Sequence, residues 1–224
     1  MKIDFRVTVG QLAAETPAAV AVFRALKVDF CCGGKRPLQD ALAEAHVAPA
    51  AFEAMLSEAV ARRAHEAEGA DYAHMRPAAL IAYIEDTHHA YLREALAEAA
   101  ALLLKTLNAH GRNHAELFDV YGLFGRLKAD LEQHLVKEEA LLFPALAQDG
   151  DVDEATRALA GQVMREHDAA GELLHALSAL TNGYEAPADA CPTYRKAYAL
   201  LSALENDLHQ HIHLENNILL KEMA

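Results

Sequence analysis

The chain has 224 residues, 53% of them apolar, with no Trp, 11 Gly and 7 Pro. Much of the apolar fraction is Ala, a balance that favours helix over sheet, and the length can bury one large core or two small ones without a disulfide scaffold. A net charge of −13, from 20 basic and 33 acidic residues, repels phosphate backbones and anionic lipid surfaces, which argues against nucleic acid and membranes as partners.

Residues 1–15, MKIDFRVTVGQLAAE, scatter charge among apolar residues and contain no hydrophobic leader core or cleavage site, so no secretory signal is expected. Thr16 followed by Pro17 reads as an N-cap and first helical residue, and Pro37 and Pro49 each open a further short helix. Residues 1–66 are therefore expected to form a small domain of short helices. Within it, Cys31-Cys32-Gly33-Gly34 precedes Lys35 and Arg36. The cations favour thiolates and the glycines allow close backbone approach, which points to a thiol-redox or metal-transfer arm. The rival reading is two small apolar side chains packed into the domain. With Cys191 distant, the three Cys cannot close a disulfide framework and fit a reducing cytosol.

Residues 67–76, AEGADYAHMR, lose apolar periodicity ahead of Pro77 and read as a linker. The longest apolar run, Ala78–Ile84, is far short of the ~20 residues that cross a bilayer. From Pro77 onward four long apolar-periodic segments follow, roughly 77–107, 114–147, 153–181 and 192–222, separated by NAHGRN, QDGDVD and NGYEAPADA. The expected fold class is all-α, with an antiparallel four-helix bundle over 77–224.

The bundle carries a near-repeat: HLVKEEALLF from His134 returns as HIHLENNILL from His211, and HAYLREAL from His89 as HDAAGELL from His167. Positions i and i+4 share a helix face, so His134 with Glu138 and His211 with Glu215 each present an imidazole beside a carboxylate. Both pairs fall on apolar stripes, Leu127, Leu131, His134, Glu138, Leu141 and Leu204, Leu208, His211, Glu215, Ile218. His167 joins from the third helix, with Val163 and Leu174 on its face. The first helix has two stripes, one through Ala82, Glu85, His89, Leu92 and Leu96, the other through Ile81, Ile84, His88, Tyr91 and Ala95. The repeat favours His89, with His88 as the alternative.

Buried carboxylates are costly unless paired or bound to a cation. Four imidazoles and two carboxylates are too many for one tetrahedral zinc and suit two metals bridged by carboxylates. Ligand softness favours iron or manganese, with zinc left open by the affinity order of divalent metals. His110, His114, His175, His209 and His213 fall off the stripes or in loops and are expected at the surface or behind the ligands. Glu139 lies off the ligand face.

The segment DFCCGGK with Pro37 and Leu38 after it, and GQLAAETPAAVAVFRALK before it, resembles the N-terminal domain of the iron-sulfur cluster repair di-iron proteins, the repair of iron centres family. HHAYLREAL, HLVKEEALLFP, EHDAAGELL and HIHLENNILL resemble that family's hemerythrin-like domain. One departure stands after Leu219, where the chain reads LKEMA and the family has Phe-Pro.

The resemblance implies two non-haem iron ions per chain, ferrous or ferric and oxo- or hydroxo-bridged when oxidised. They would be held by His89, His134, His167 and His211, with Glu138 and Glu215 bridging as the catalytic carboxylates. It also implies a bacterial cytoplasmic protein, monomer or homodimer, that helps to repair iron-sulfur clusters damaged by nitrosative or oxidative stress. Iron donation and nitric oxide reduction are the two routes, with cluster proteins and the gases nitric oxide and oxygen as partners. The alternatives are a non-enzymatic binder or sensor of oxygen, nitric oxide or iron, and a metal-free helical adaptor.

Overall fold

The computed structural model describes residues 3–31, 33–65, 71–148 and 151–223. Cys32 and residues 67–70 of the expected linker lie outside them. Among the described residues the regular structure is helical, and the isolated antiparallel bridge Thr8–Pro37 is the extended pairing present. No helix is long and apolar enough to cross a membrane.

The prolines stand at helix starts, but Thr16, expected to cap α2, closes α1 instead, and Pro17 precedes the first residue of α2 without a side-chain cap. Helix α1 (Val9–Glu15) starts at Thr8, whose hydroxyl accepts from the Gln11 N–H at 3.1 Å. Helix α2 (Ala18–Ala25) follows Pro17, α3 (Leu38–Glu44) follows Pro37, and α4 (Pro49–His65) begins on Pro49. Phe23 joins them, its ring stacked against Phe30 and Phe52 at 6.3 and 5.6 Å between centroids.

The long segments begin with α5 (Pro77–Ile84), which runs through a π-helical turn, Glu85–His89, into α6 (Ala90–His110). Helix α7 (Glu116–Lys137) runs through a second π turn, Glu138–Leu142, into α8 (Phe143–Leu146). Helix α9 (Glu154–Leu180) is capped by Asp153, which accepts from the Thr156 N–H at 2.7 Å. Helix α10 (Pro192–Leu214) runs into a third π turn, Glu215–Leu219, and a single 3-10 turn at Lys221–Met223. Leu92, Leu96, Leu103, Phe124, Leu131, Leu174, Tyr194 and Leu208 are among the residues that build the core between the long helices.

In each π turn the bond reaches five residues back: Ala90, Phe143 and Leu220 donate to the carbonyls of Glu85, Glu138 and Glu215. In the second turn Pro144 has no N–H to offer Ala140, which removes the competing α bond. The extra residue rotates everything after it by about 100° around the axis. This corrects the expected stripes. Leu141, expected inside, is 58% exposed, and Leu142 takes its place fully buried. Ile218 is likewise only half-buried, while Leu220 is buried. In the first helix Ile81 and Ile84 are buried before the turn and Leu92 and Leu96 after it, so the chain switches from one candidate stripe to the other. Both His88 and His89 are buried as a result.

The chain divides into two compact units, Met1–Arg76 with His209–Ala224, and Pro77–Leu208. The division falls inside the continuous helix α10.

Candidate metal centre

The His-Glu pairs survive the helix distortion because each π turn begins at the glutamate, leaving the preceding i to i+4 spacing α-helical. His134 Nε2 lies 3.2 Å from Glu138 Oε1, and His211 Nε2 lies 2.9 Å from Glu215 Oε1. Donor atoms of His89, Glu138, His211 and Glu215 lie within 4.8 Å of one another, and so do those of His134, Glu138, His167 and Glu215. The six residues are buried, and Glu138 and Glu215 belong to both groups.

His89 faces the donor set, 3.5 Å from Glu138 Oε2 through its Nε2. His88 faces elsewhere: its Nδ1 pairs with Asp207 Oδ1 at 2.9 Å and its ring meets Tyr83 edge-on. Phe143, just past the second π turn, stacks on the His89 ring at 5.5 Å between centroids.

Behind the donors stand carboxylates that the sequence reading passed over. His89 Nδ1 donates to Glu139 Oε1 at 2.8 Å, and Arg93 grips both oxygens of Glu139 at 2.6 and 2.7 Å. His134 Nδ1 donates to Glu166 Oε2 at 3.0 Å, and Glu166 also accepts from Lys137 and Gln162. Burial pushes the Glu139 carboxyl up, but Arg93 and His89 outweigh it and hold the group below its usual range. For Glu166 burial is outweighed by Lys137, His134 and Gln162, which bring it to about 2. The signal was present in the EE and EH doublets: each carboxylate sits one residue from a donor on its own helix and supports a donor on a neighbouring one. Glu139, expected off the ligand face, therefore holds His89 in orientation.

These contacts make the site a test of cation fit. With the Nδ1 proton of each ring directed at an ionised carboxylate, the Nε2 atoms of His89 and His134 carry lone pairs. His134 Nε2 faces His167 Nε2 at 3.0 Å. Neither oxygen of Glu138, which is 0% exposed, accepts a hydrogen bond. A buried carboxylate in that state costs several kcal/mol, and a cluster of imidazole nitrogens and carboxylate oxygens around it suits a cation. The fold and site define a helical bundle protein with a buried histidine-carboxylate cluster that could hold a cation.

Of the two placements expected for His209 and His213, at the surface or behind the ligands, the surface one does not hold. His213 is 2% exposed, and burial lowers its pKa to about 4; burial also lowers that of the half-buried His209. The Phe30 ring meets both rings edge-on, at 6.1 and 5.6 Å between centroids. Cys31 is 3% exposed, so the described half of the Cys-Cys pair is packed away from solvent. Cys191 lies beyond the C-terminus of α9, half-buried at the start of α10.

Residues 80–223 match the profile of the hemerythrin HHE cation binding domain, and residues 6–60 match ScdA_N, described as a domain of unknown function. The chain is 37% identical to the iron-sulfur cluster repair protein YtfE of Musicola paradisiaca, over 95% of this chain and 93% of that one. YtfE of Pectobacterium atrosepticum is 35% identical, over 95% and 94%. The iron-sulfur cluster repair protein ScdA of Staphylococcus haemolyticus is 27% identical, over 96% and 97%. The chain belongs to this iron-sulfur cluster repair family, with its hemerythrin-type cation-binding domain.

Proposed function

We propose that this chain repairs damaged iron-sulfur clusters and holds two iron ions, with His89 and His211 on one, His134 and His167 on the other, and Glu138 and Glu215 shared as bridges. The observation that carries the reading is the pair of four-residue donor groups that overlap at the two glutamates. Iron at such a site supplies reversible electron transfer and open positions for a small ligand.

The chain's own residues do the rest. Glu139 and Glu166 hold the imidazoles of His89 and His134 in the tautomer that presents Nε2 to a cation. The donors are themselves buried and Phe143 stacks on His89, which keeps water and bulky molecules away and suits nitric oxide or oxygen as small partners. The partners would be proteins whose clusters have been damaged by nitrosative or oxidative stress.

The test loads purified protein anaerobically with ferrous iron, counts the metal, and incubates it with a dehydratase whose cluster nitric oxide has destroyed. About two irons per chain and recovery of the dehydratase are expected, with neither in His134→Ala combined with His211→Ala. Nitric oxide consumption with a reductant, measured in parallel, separates reduction from iron donation. Equal recovery with the double variant would overturn the proposal.

A further inference from the structure

The third π turn carries two side chains with different destinations. Glu215, its first residue, belongs to the donor set, while Asn217, two residues on, reaches the loop that holds Cys31. That loop is folded by Asp29, whose Oδ1 accepts from the Cys31 N–H at 3.0 Å and from its thiol at 3.2 Å, while Oδ2 accepts from the Gly33 N–H at 2.8 Å. The carbonyl of Phe30 accepts from Asn217 Nδ2 at 3.2 Å, and the same amide lies 3.0 Å from His213 Nδ1.

Room for this carboxamide is made by two glycines. A Cβ on Gly10 would collide with Asn217 Oδ1, and one on Gly34 would stand 2.8 Å from it. Gly10 and Gly34 are themselves joined, N–H to carbonyl, at 2.8 Å. Neither glycine has a positive φ, so what they provide is space. The residues of this clamp lie within the first compact unit.

We infer that Asn217 is a positioning residue that ties the Cys31 loop to the Glu215 turn, so that metal occupancy and access to the Cys31 thiol are linked. The inference rests on the proposed metal site. A cation held by Glu215 restrains the turn, the turn holds Asn217, and Asn217 holds the carbonyl of the residue preceding Cys31. Linkage is reciprocal: whatever opens the loop weakens cation binding by the same factor as cation binding restrains opening.

The test uses the full chain with Cys32→Ser and Cys191→Ser, leaving Cys31 as the one thiol. Its labelling rate with iodoacetamide is read with and without ferrous iron, beside a count of bound iron. Because Cys31 is buried, labelling reports loop opening. Iron is expected to slow labelling severalfold. Adding Asn217→Ala should raise the iron-free rate about fivefold, the worth of one ordinary hydrogen bond, and should abolish the iron dependence while iron still binds. Gly10→Ala, which favours the helix but evicts the carboxamide, should act in the same way. Protection by iron that persists in both variants overturns the coupling, as does full iron loading without protection in the parent. Failure of the parent to bind iron overturns the metal reading, and the coupling with it.

Discussion

Glu138→Gln separates what the donor set does for the metal from what it does to the fold. In the iron-free protein a fully buried carboxylate accepts no hydrogen bond while His134 Nε2 and His89 Nε2 stand 3.2 and 3.5 Å from its two oxygens. The amide cannot carry a charge, and its NH2 can donate to one of those two lone pairs, a hydrogen bond worth about 1 kcal/mol. Taking about 1 kcal/mol, at roughly 2–4 °C per kcal/mol for a chain of this length, the iron-free Tm should rise by about 2–4 °C. The metal response should move the other way. Ferrous iron at 100 times its dissociation constant stabilises the wild type by about 2.7 kcal/mol, or roughly 5–11 °C. The amide is a poor bridging ligand, so the variant should respond little. The assay is anaerobic thermal unfolding of both proteins at neutral pH, with and without iron. A variant that melts lower than wild type without iron, yet keeps the full iron-induced rise, would refute the reasoning.

Leu142→Ala should destabilise the protein by about 2–5 kcal/mol, while Leu141→Ala should change stability by less than about 0.5 kcal/mol; similar losses in denaturant unfolding would contradict the register set by the π turn. Cys31→Ser with Cys32→Ser should leave the number of irons per chain unchanged, since Cys31 lies outside both donor groups; loss of metal in elemental analysis would make the thiols ligands. The Cys191 thiol is brought down to about 7 by the Tyr194 backbone N–H and by His110. A lowered pKa means thiolate persists to lower pH, so alkylation of Cys191 should climb through about pH 7 instead of near 8.5 and move upward in His110→Ala; a midpoint unmoved by that change would exclude the histidine's part.

Much of the molecule is legible in its residue order, for local reasons. Prolines at 17, 37 and 49 mark helix starts because a missing N–H is harmless there. The His-Glu pairs are visible because i to i+4 spacing alone sets which side chains share a helix face, and the near-repeat points to four helices contributing to one level. The sequence likewise favours His89 through that repeat, but periodicity alone leaves His88 open.

Tertiary structure decides the rest. A π turn adds one residue to a periodic pattern, and whether it forms depends on how the helix packs on both sides of it; this buries both His88 and His89 and exchanges Leu141 for Leu142. Glu139 and Glu166 acquire their roles from donors on other helices, 50 and 32 residues away in the chain. His213 looks like a surface residue until Phe30, far away in sequence, covers it. Helix spacing is a property of the bonded chain, whereas the partner that a side chain meets across the core is known only when the helices have packed.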